Sequence, residues 1–260
     1  MGFRLTNTAS ANAGNANTMM FCKATCRFST KSMTPNRFCI SELSTVTKYK
    51  QTMKTENRNN IFVAKLNFIK GEVANNTVVA LQCGIGKVNA AIGTMTMIFQ
   101  YSPDMIINTG VAGGADKSIN VMDIVVGERV SYHDVWCGPE CKMGVVQGLP
   151  NYFEGSKSII SKLPPSQLLK YGLIVSGDQF VESIEKVNKI KENYPEALAV
   201  DMESGAIAHV CEVMNVPFLS LRVISDSPGA SRNSTCQYND FWEDAPKHTF
   251  EIVETLLNNL

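Results

Sequence analysis

The chain lacks a charge excess of either sign: 24 Lys and Arg balance 24 Asp and Glu over 260 residues, and neither sign forms a long block. This excludes the electrostatic footprint with which proteins track nucleic acid or an anionic membrane, and leaves a small neutral ligand as the expected partner. Long apolar runs are missing too. Stretches such as Phe218–Leu221 and Asp123-Ile-Val-Val-Gly127 fall far short of the roughly 20 residues a spanning helix needs, so a soluble protein is expected. A zinc-binding pattern is also lacking. Eight cysteines stand at 22, 26, 39, 83, 137, 141, 211 and 236. Cys22/Cys26 and Cys137/Cys141 are close pairs, but neither is joined by the His and second Cys pair that a zinc site requires. No metal and no cofactor is expected. Cys83 and Cys211 fall within expected core elements, and reduced, buried thiols point to a cytoplasmic protein.

Residues 1–41 contain no Asp or Glu at all and are dominated by Asn, Ser, Thr and Met with a few Lys and Arg. Two readings are open. An organellar transit peptide is Ser-rich, basic and acid-poor; the favoured reading is a disordered or wrongly included upstream extension, since Met19, Met20 and Met33 each offer a start. On both readings residues 1–41 lie outside the fold. Residues 42–260 are then expected to form one α/β domain, for which 44% hydrophobic residues supply a full core.

What the sequence does contain is organised around Leu198 to Asp226. Ala197 to Val200 is a short apolar run. From Met202 the apolar residues recur at Met202, Ala206, Ile207, Val210 and Met214, the spacing of one helical face, and Asn215-Val-Pro217 ends the helix. Phe218 to Ile224 is dense in apolar residues, as a strand buried on both faces should be, and Ser225-Asp-Ser-Pro-Gly229 stops it. This places Asp226 just past a strand's carboxyl end, the edge where open α/β sheets bind ligands. It places Glu203 in the first helical turn, at the positive end of the helix dipole. Either carboxylate alone is ordinary, since Glu complements a dipole and Asp forms turns. Two framing one unit, with Asp201 inside an apolar and small-residue run, mark an active-site half.

The remaining elements follow in order. Ser41 to Lys50 could be a first helix with a serine cap. Phe68 to Val73 and Val78 to Gln82, either side of Asn75-Asn76, read as a hairpin. Cys83-Gly-Ile-Gly-Lys87 is a glycine turn opening a helix to Phe99, and it is a weak phosphate-loop signal, because close helix-on-sheet packing explains the glycines equally well. Asp104 to Gly114 is a strand running into a glycine-rich turn where backbone must approach something closely. Val121 to Val126 is a strand, and Val130 to Pro139 leads into a long loop of the kind that carries binding or subunit contacts. Gly172 to Val181 is a strand and turn, Ser183 to Tyr194 a polar helix, and Tyr238 begins a closing helix.

Gly84-Ile-Gly-Lys87, Ile106-Ile-Asn-Thr-Gly-Val-Ala-Gly-Gly114, Asp123-Ile-Val-Val126, Tyr132-His-Asp134, Val175-Ser-Gly-Asp-Gln-Phe180, Val200-Asp-Met-Glu-Ser-Gly-Ala-Ile-Ala-His-Val210 and Arg222-Val-Ile-Ser-Asp226 together resemble the 5′-methylthioadenosine/S-adenosylhomocysteine nucleosidases of the nucleoside phosphorylase superfamily. The resemblance runs from about Phe68 to the C-terminus. It implies a three-layer α/β sandwich around a mixed, barrel-like sheet, assembled as a homodimer, and hydrolysis of the N-glycosidic bond of 5′-substituted adenosines.

It also implies roles. Asp226 would share a proton with adenine N7, for which it must be protonated in the complex. Glu203 would accept the ribose hydroxyls, with Met202 beneath the sugar. Phe180 would stack on adenine, the backbone at Val181 would read its edge, and Val111 would lie beside ribose and water. Tyr238 would be an aromatic lid near the alkylthio group. Family members begin with a strand of Ile-Gly-Ile-Ile-Gly-Ala-Met type followed by the glutamate that activates water; nothing before Glu42 spells that strand, and Glu42 is the candidate for the glutamate. Two alternatives stay open: a phosphorolytic relative, which would need an Arg at a glycine turn that here reads Asn108-Thr-Gly-Val-Ala, and a catalytically impaired nucleoside-binding relative. Aminofutalosine is a minor alternative substrate.

Overall fold

Apolar runs bounded by glycines and polar turns become the strands of one mixed sheet. A computed structural model describes residues 19–24, 36–38, 59–63, 66–73, 76–227 and 245–260. In chain order the strands are β1 (Met19–Ala24), β2 (Asn36–Phe38), β3 (Asn59–Val63), β4 (Leu66–Val73), β5 (Asn76–Gln82), β6 (Pro103–Gly114), β7 (Ile124–Tyr132), β8 (Phe153–Glu154), β9 (Leu169–Ser176), β10 (Ala197–Asp201) and β11 (Phe218–Asp226). The helices are α1 (Lys87–Tyr101), α2 (Lys157–Ile160), α3 (Ile184–Lys191), α4 (Ser204–Val213) and α5 (Ala245–Asn259). None among the described residues is long and apolar enough to cross a membrane.

The main sheet path runs β10-β9-β7-β11-β6-β1-β5-β4-β3. Strand β10 also pairs with β6, through Ala199 opposite Gly114 and Val200 opposite Gly113, so β6, β11, β7, β9 and β10 close on themselves as a small barrel. The expected mixed, barrel-like sheet is therefore present. The expected hairpin is β4–β5, antiparallel with Val73 opposite Asn76. Every residue of β11 is buried, between parallel β6 and antiparallel β7, which accounts for its unbroken apolar run.

Helix α1 buries Ala90, Gly93, Thr94, Met97, Ile98 and Tyr101, a stripe at helical spacing that packs toward α4 and the sheet. Helix α4 buries Ser204 through Ala208 and Cys211. Its small residues let it sit close: a Cβ on Gly205 would come within 2.8 Å of the Tyr132 ring. Cys83 and Cys211 are buried, and burial pushes the Cys83 thiol far above its usual range.

Three sequence expectations are corrected. The stretch 1–41, expected outside the fold, supplies β1, which pairs antiparallel with both β5 and β6, and β2, which pairs with β5. Backbone hydrogen bonding needs no distinctive side-chain pattern, so composition concealed these strands. The strand expected to stop at Val126 continues to Tyr132. Its polar interruption lies at a register shift between Gly127 and Arg129 opposite β9, and such an irregularity breaks the alternation by which strands are read. Finally, α4 begins at Ser204, with Glu203 at its N-cap rather than in its first turn. The helix expected from Ser41 and the start of the closing helix at Tyr238 lie outside the described residues.

Candidate active site

The glycine turn after β5 and the carboxyl ends of β6, β10 and β11 converge with the loop after β9 on a cleft of about 530 Å³, open to solvent. Its walls are mostly apolar, with Ile85, Val111, Phe180, Val181 and Met202 around the side chains of Glu203 and Asp226. Six residues singled out from the sequence thus meet in one place: Val111, Phe180, Val181, Met202, Glu203 and Asp226. Glu42 and Tyr238 lie outside the described residues.

Asp226 is the last residue of β11, where the pairing with β6 shifts register between Ile224 and Asp226. A bulge of this kind re-aims a side chain at a sheet's end. The carboxyl is 2% exposed, and its Oδ1 accepts the Ser225 hydroxyl at 2.8 Å. Glu203, 5% exposed, does not cap its own helix. Its Oε1 accepts the backbone N–H of Gly86 at 2.9 Å, and its Oε2 lies 3.6 Å from Nη2 of Arg222.

Behind these carboxylates lies a buried polar network. Arg222, within β11, has no solvent exposure; its Nε is 2.7 Å from Asp201 Oδ2 and 3.0 Å from Ser204 Oγ. Asp201 accepts the hydroxyls of Ser176 and Ser204 and the Ser204 N–H at 3.2 Å. Ser176 Oγ in turn accepts the Gly205 N–H at 2.7 Å. Asn108 donates to Ser204 and Ser220 at 2.9 and 3.1 Å. A guanidinium with this little exposure is tolerable only when paired and hydrogen-bonded. Sequence reasoning assigned no role to Arg222 or Asp201; the available signal was a charge of each sign inside two apolar strands, which calls for a mutual partner.

Phe180, at the cleft mouth, is 42% exposed while the adjacent Val181 is 6% exposed, so the pair sets a solvent-accessible aromatic ring beside a buried residue. Among the described residues no group of three or more His, Cys, Asp or Glu could hold a metal ion. What the arrangement offers chemically is an apolar slot with an exposed aromatic face for a flat heterocycle and two buried carboxylates for polar or proton-transfer work.

The fold is that of a phosphorylase-type α/β protein, and residues 41–258 match the phosphorylase superfamily. A Staphylococcus aureus 5′-methylthioadenosine/S-adenosylhomocysteine nucleosidase is 40% identical over 229 residues, covering 85% of this chain and 97% of that protein. The chain belongs to the 5′-methylthioadenosine/S-adenosylhomocysteine nucleosidase family. Its members are N-glycosyl hydrolases that split adenosine N-glycosidic bonds. The Neisseria meningitidis nucleosidase in complex with methylthio-immucillin-A superposes with a TM-score of 0.79 at 32% identity, covering 84% of this chain and 96% of that one. Futalosine hydrolase of Helicobacter pylori superposes with a TM-score of 0.76 at 25% identity, covering 84% and 95%.

Proposed function

We propose that this chain hydrolyses the N-glycosidic bond of 5′-methylthioadenosine, S-adenosylhomocysteine and related 5′-substituted adenosines, releasing adenine as a step of methionine salvage. The observation that carries the reading is the pair of buried carboxylates, Asp226 and Glu203, in one mostly apolar cleft. Water attacks the anomeric carbon, the bond to the base breaks, and the departing adenine takes a proton at N7 from Asp226. General acid help of this kind lowers the barrier because negative charge would otherwise build on the base. Glu203, anchored at Oε1 by Gly86, accepts the ribose hydroxyls. Phe180 stacks on the base, the Val181 backbone reads its edge, Met202 packs beneath the sugar and Val111 lies beside ribose and water. Glu42 activates the water and Tyr238 covers the alkylthio group.

Hydrolysis is favoured over phosphorolysis because no Lys or Arg among the described residues lines the cleft, and a phosphate nucleophile needs a cationic cradle. We read the protein as a cytoplasmic homodimer. In support, Val88, Ile92 and Phe99 are 68%, 53% and 74% exposed at spacings that put them along one flank of α1, an apolar stripe suited to a second copy.

The test is adenine release from methylthioadenosine by the purified chain with and without phosphate, with aminofutalosine as a second substrate. Phosphate-independent release is expected. Release that requires phosphate and yields a ribose 1-phosphate would make the protein a phosphorylase. Adenine binding without any release would make it a binding relative.

A further inference from the structure

Lys87 links three segments that are far apart in the chain. Its Nζ lies 2.9 Å from both Oδ1 and Oδ2 of Asp134, in the loop after β7, and 3.9 Å from Oδ2 of Asp178, in the loop after β9. The backbone closes the same triangle: the Lys87 N–H donates to Asp178 Oδ1 at 2.8 Å, and the Asp178 N–H donates to Asp134 Oδ2 at 2.8 Å. The Lys87 ammonium also sits 5.3 Å from the centroid of the Tyr132 ring. Helix α1 has no acidic residue in its first turn and no side-chain cap from Gly86, so Asp178 supplies the missing anion from another loop.

Two of the joined segments build the cleft. The turn before α1 carries Ile85 into the wall and directs the Gly86 N–H at Glu203. The loop after β9 carries Phe180 and Val181. Gly86 has φ of +89°, and a Cβ there would lie 3.1 Å from Asp178 Oδ1, so the turn is held tightly under the latch.

We propose that Lys87, Asp134 and Asp178 are positioning residues: they lock the glycine turn so that the Gly86 N–H holds the Glu203 carboxylate in the orientation that receives the ribose hydroxyls. The inference rests on the reading of Glu203 as the ribose acceptor. A latch acting this way discriminates between ligands with and without a sugar, whereas a contribution to general stability does not.

The experiment compares Lys87→Met, Asp134→Asn and Lys87→Arg with the unaltered chain, reading kcat and KM for methylthioadenosine and the inhibition constant of adenine. Lys87→Met and Asp134→Asn should each lower kcat/KM by about tenfold or more, mainly through KM, since small misplacements of positioning groups carry penalties of this order. The adenine constant should stay within about twofold, and Lys87→Arg should recover most of the loss. Equal weakening of adenine and nucleoside, or no change in either variant, would overturn the proposal. If the unaltered chain turns over no nucleoside, the activity reading fails separately. Calorimetric binding of methylthioadenosine against adenine to the same variants then gives the same discrimination.

Discussion

Arg222 and Asp201 meet inside the protein, Nε 2.7 Å from Oδ2, with side chains 0% and 1% exposed. The pair ties β11 to the end of β10, the strand that closes the barrel against β6, and it stands directly behind Glu203. Removing the Asp201 charge takes away the guanidinium's nearest anion and leaves only Glu203, 3.6 Å from Nη2, to compensate a fully buried charge, which costs more than the net worth of the intact pair. Asp201→Asn should therefore lower the unfolding free energy by about 3–5 kcal/mol, read as a shift in urea midpoint at unchanged slope. A loss below about 1 kcal/mol would mean that water or another group reaches the guanidinium.

Asp226→Asn tests the proposed acid. The amide keeps the side chain's shape but cannot give up a proton to the base, so turnover should fall by roughly 10²–10⁴-fold, the usual weight of a general acid. Adenine affinity should remain and the melting temperature should change little. Loss of folding instead would make Asp226 a structural residue at the end of β11.

Stability should fall on mild acidification. Burial lowers the pKa of both His133 and His209 below the ordinary 6.5. For His133, Nε2 is buried with no hydrogen-bond partner among the described residues, so the folded state resists the proton that the unfolded chain accepts. The contribution is full above about pH 6.5 and is lost progressively as pH falls below it, until the folded imidazoles also protonate. Urea midpoints at pH 7.5 and pH 5.5 should differ in that direction, and His209→Asn should shrink the difference. A separate, more acid loss belongs to Asp116. Its hydrogen bond with Lys191 holds its pKa at about 2 against the ordinary 3.8, so that contribution is present above 3.8 and disappears as pH falls through about 2. Partial exposure of the pair keeps it small.

Gly205→Ala is expected to destabilise even though alanine is the better helix former. The added methyl would meet the Tyr132 ring at 2.8 Å and Ser176 Cβ at 2.9 Å, and overpacking of this kind costs about 1–3 kcal/mol. A thermal midpoint equal to or above that of the parent would show that α4 can slide away from β7.

The unit from Ala197 to Asp226 was readable in the chain because its signals are local: a short apolar run, apolar residues at helical spacing, a stop at Asn215-Val-Pro217 and a fully buried strand. The hairpin of β4 and β5 was readable for the same reason, and so were Glu203 and Asp226, whereas Val111, Phe180, Val181 and Met202 were singled out only through the family resemblance. The continuation of β7 past Gly127 was not, since a register shift there breaks the two-residue alternation. Nor was the contribution of Met19–Ala24 and Asn36–Phe38, whose place in the sheet rests on backbone pairing.

By itself the sequence determined the periods and breaks that make most of these strands and helices, the family resemblance, and the two carboxylates at the ends of a strand–helix–strand unit. Only the tertiary structure decided which distant groups share one environment. Closure of β10 onto β6, Arg222 against Asp201, Gly86 on Glu203 and Lys87 between Asp134 and Asp178 join residues far apart in the chain. The free energy of such contacts depends on burial and angle, and neither is set until the chain has packed.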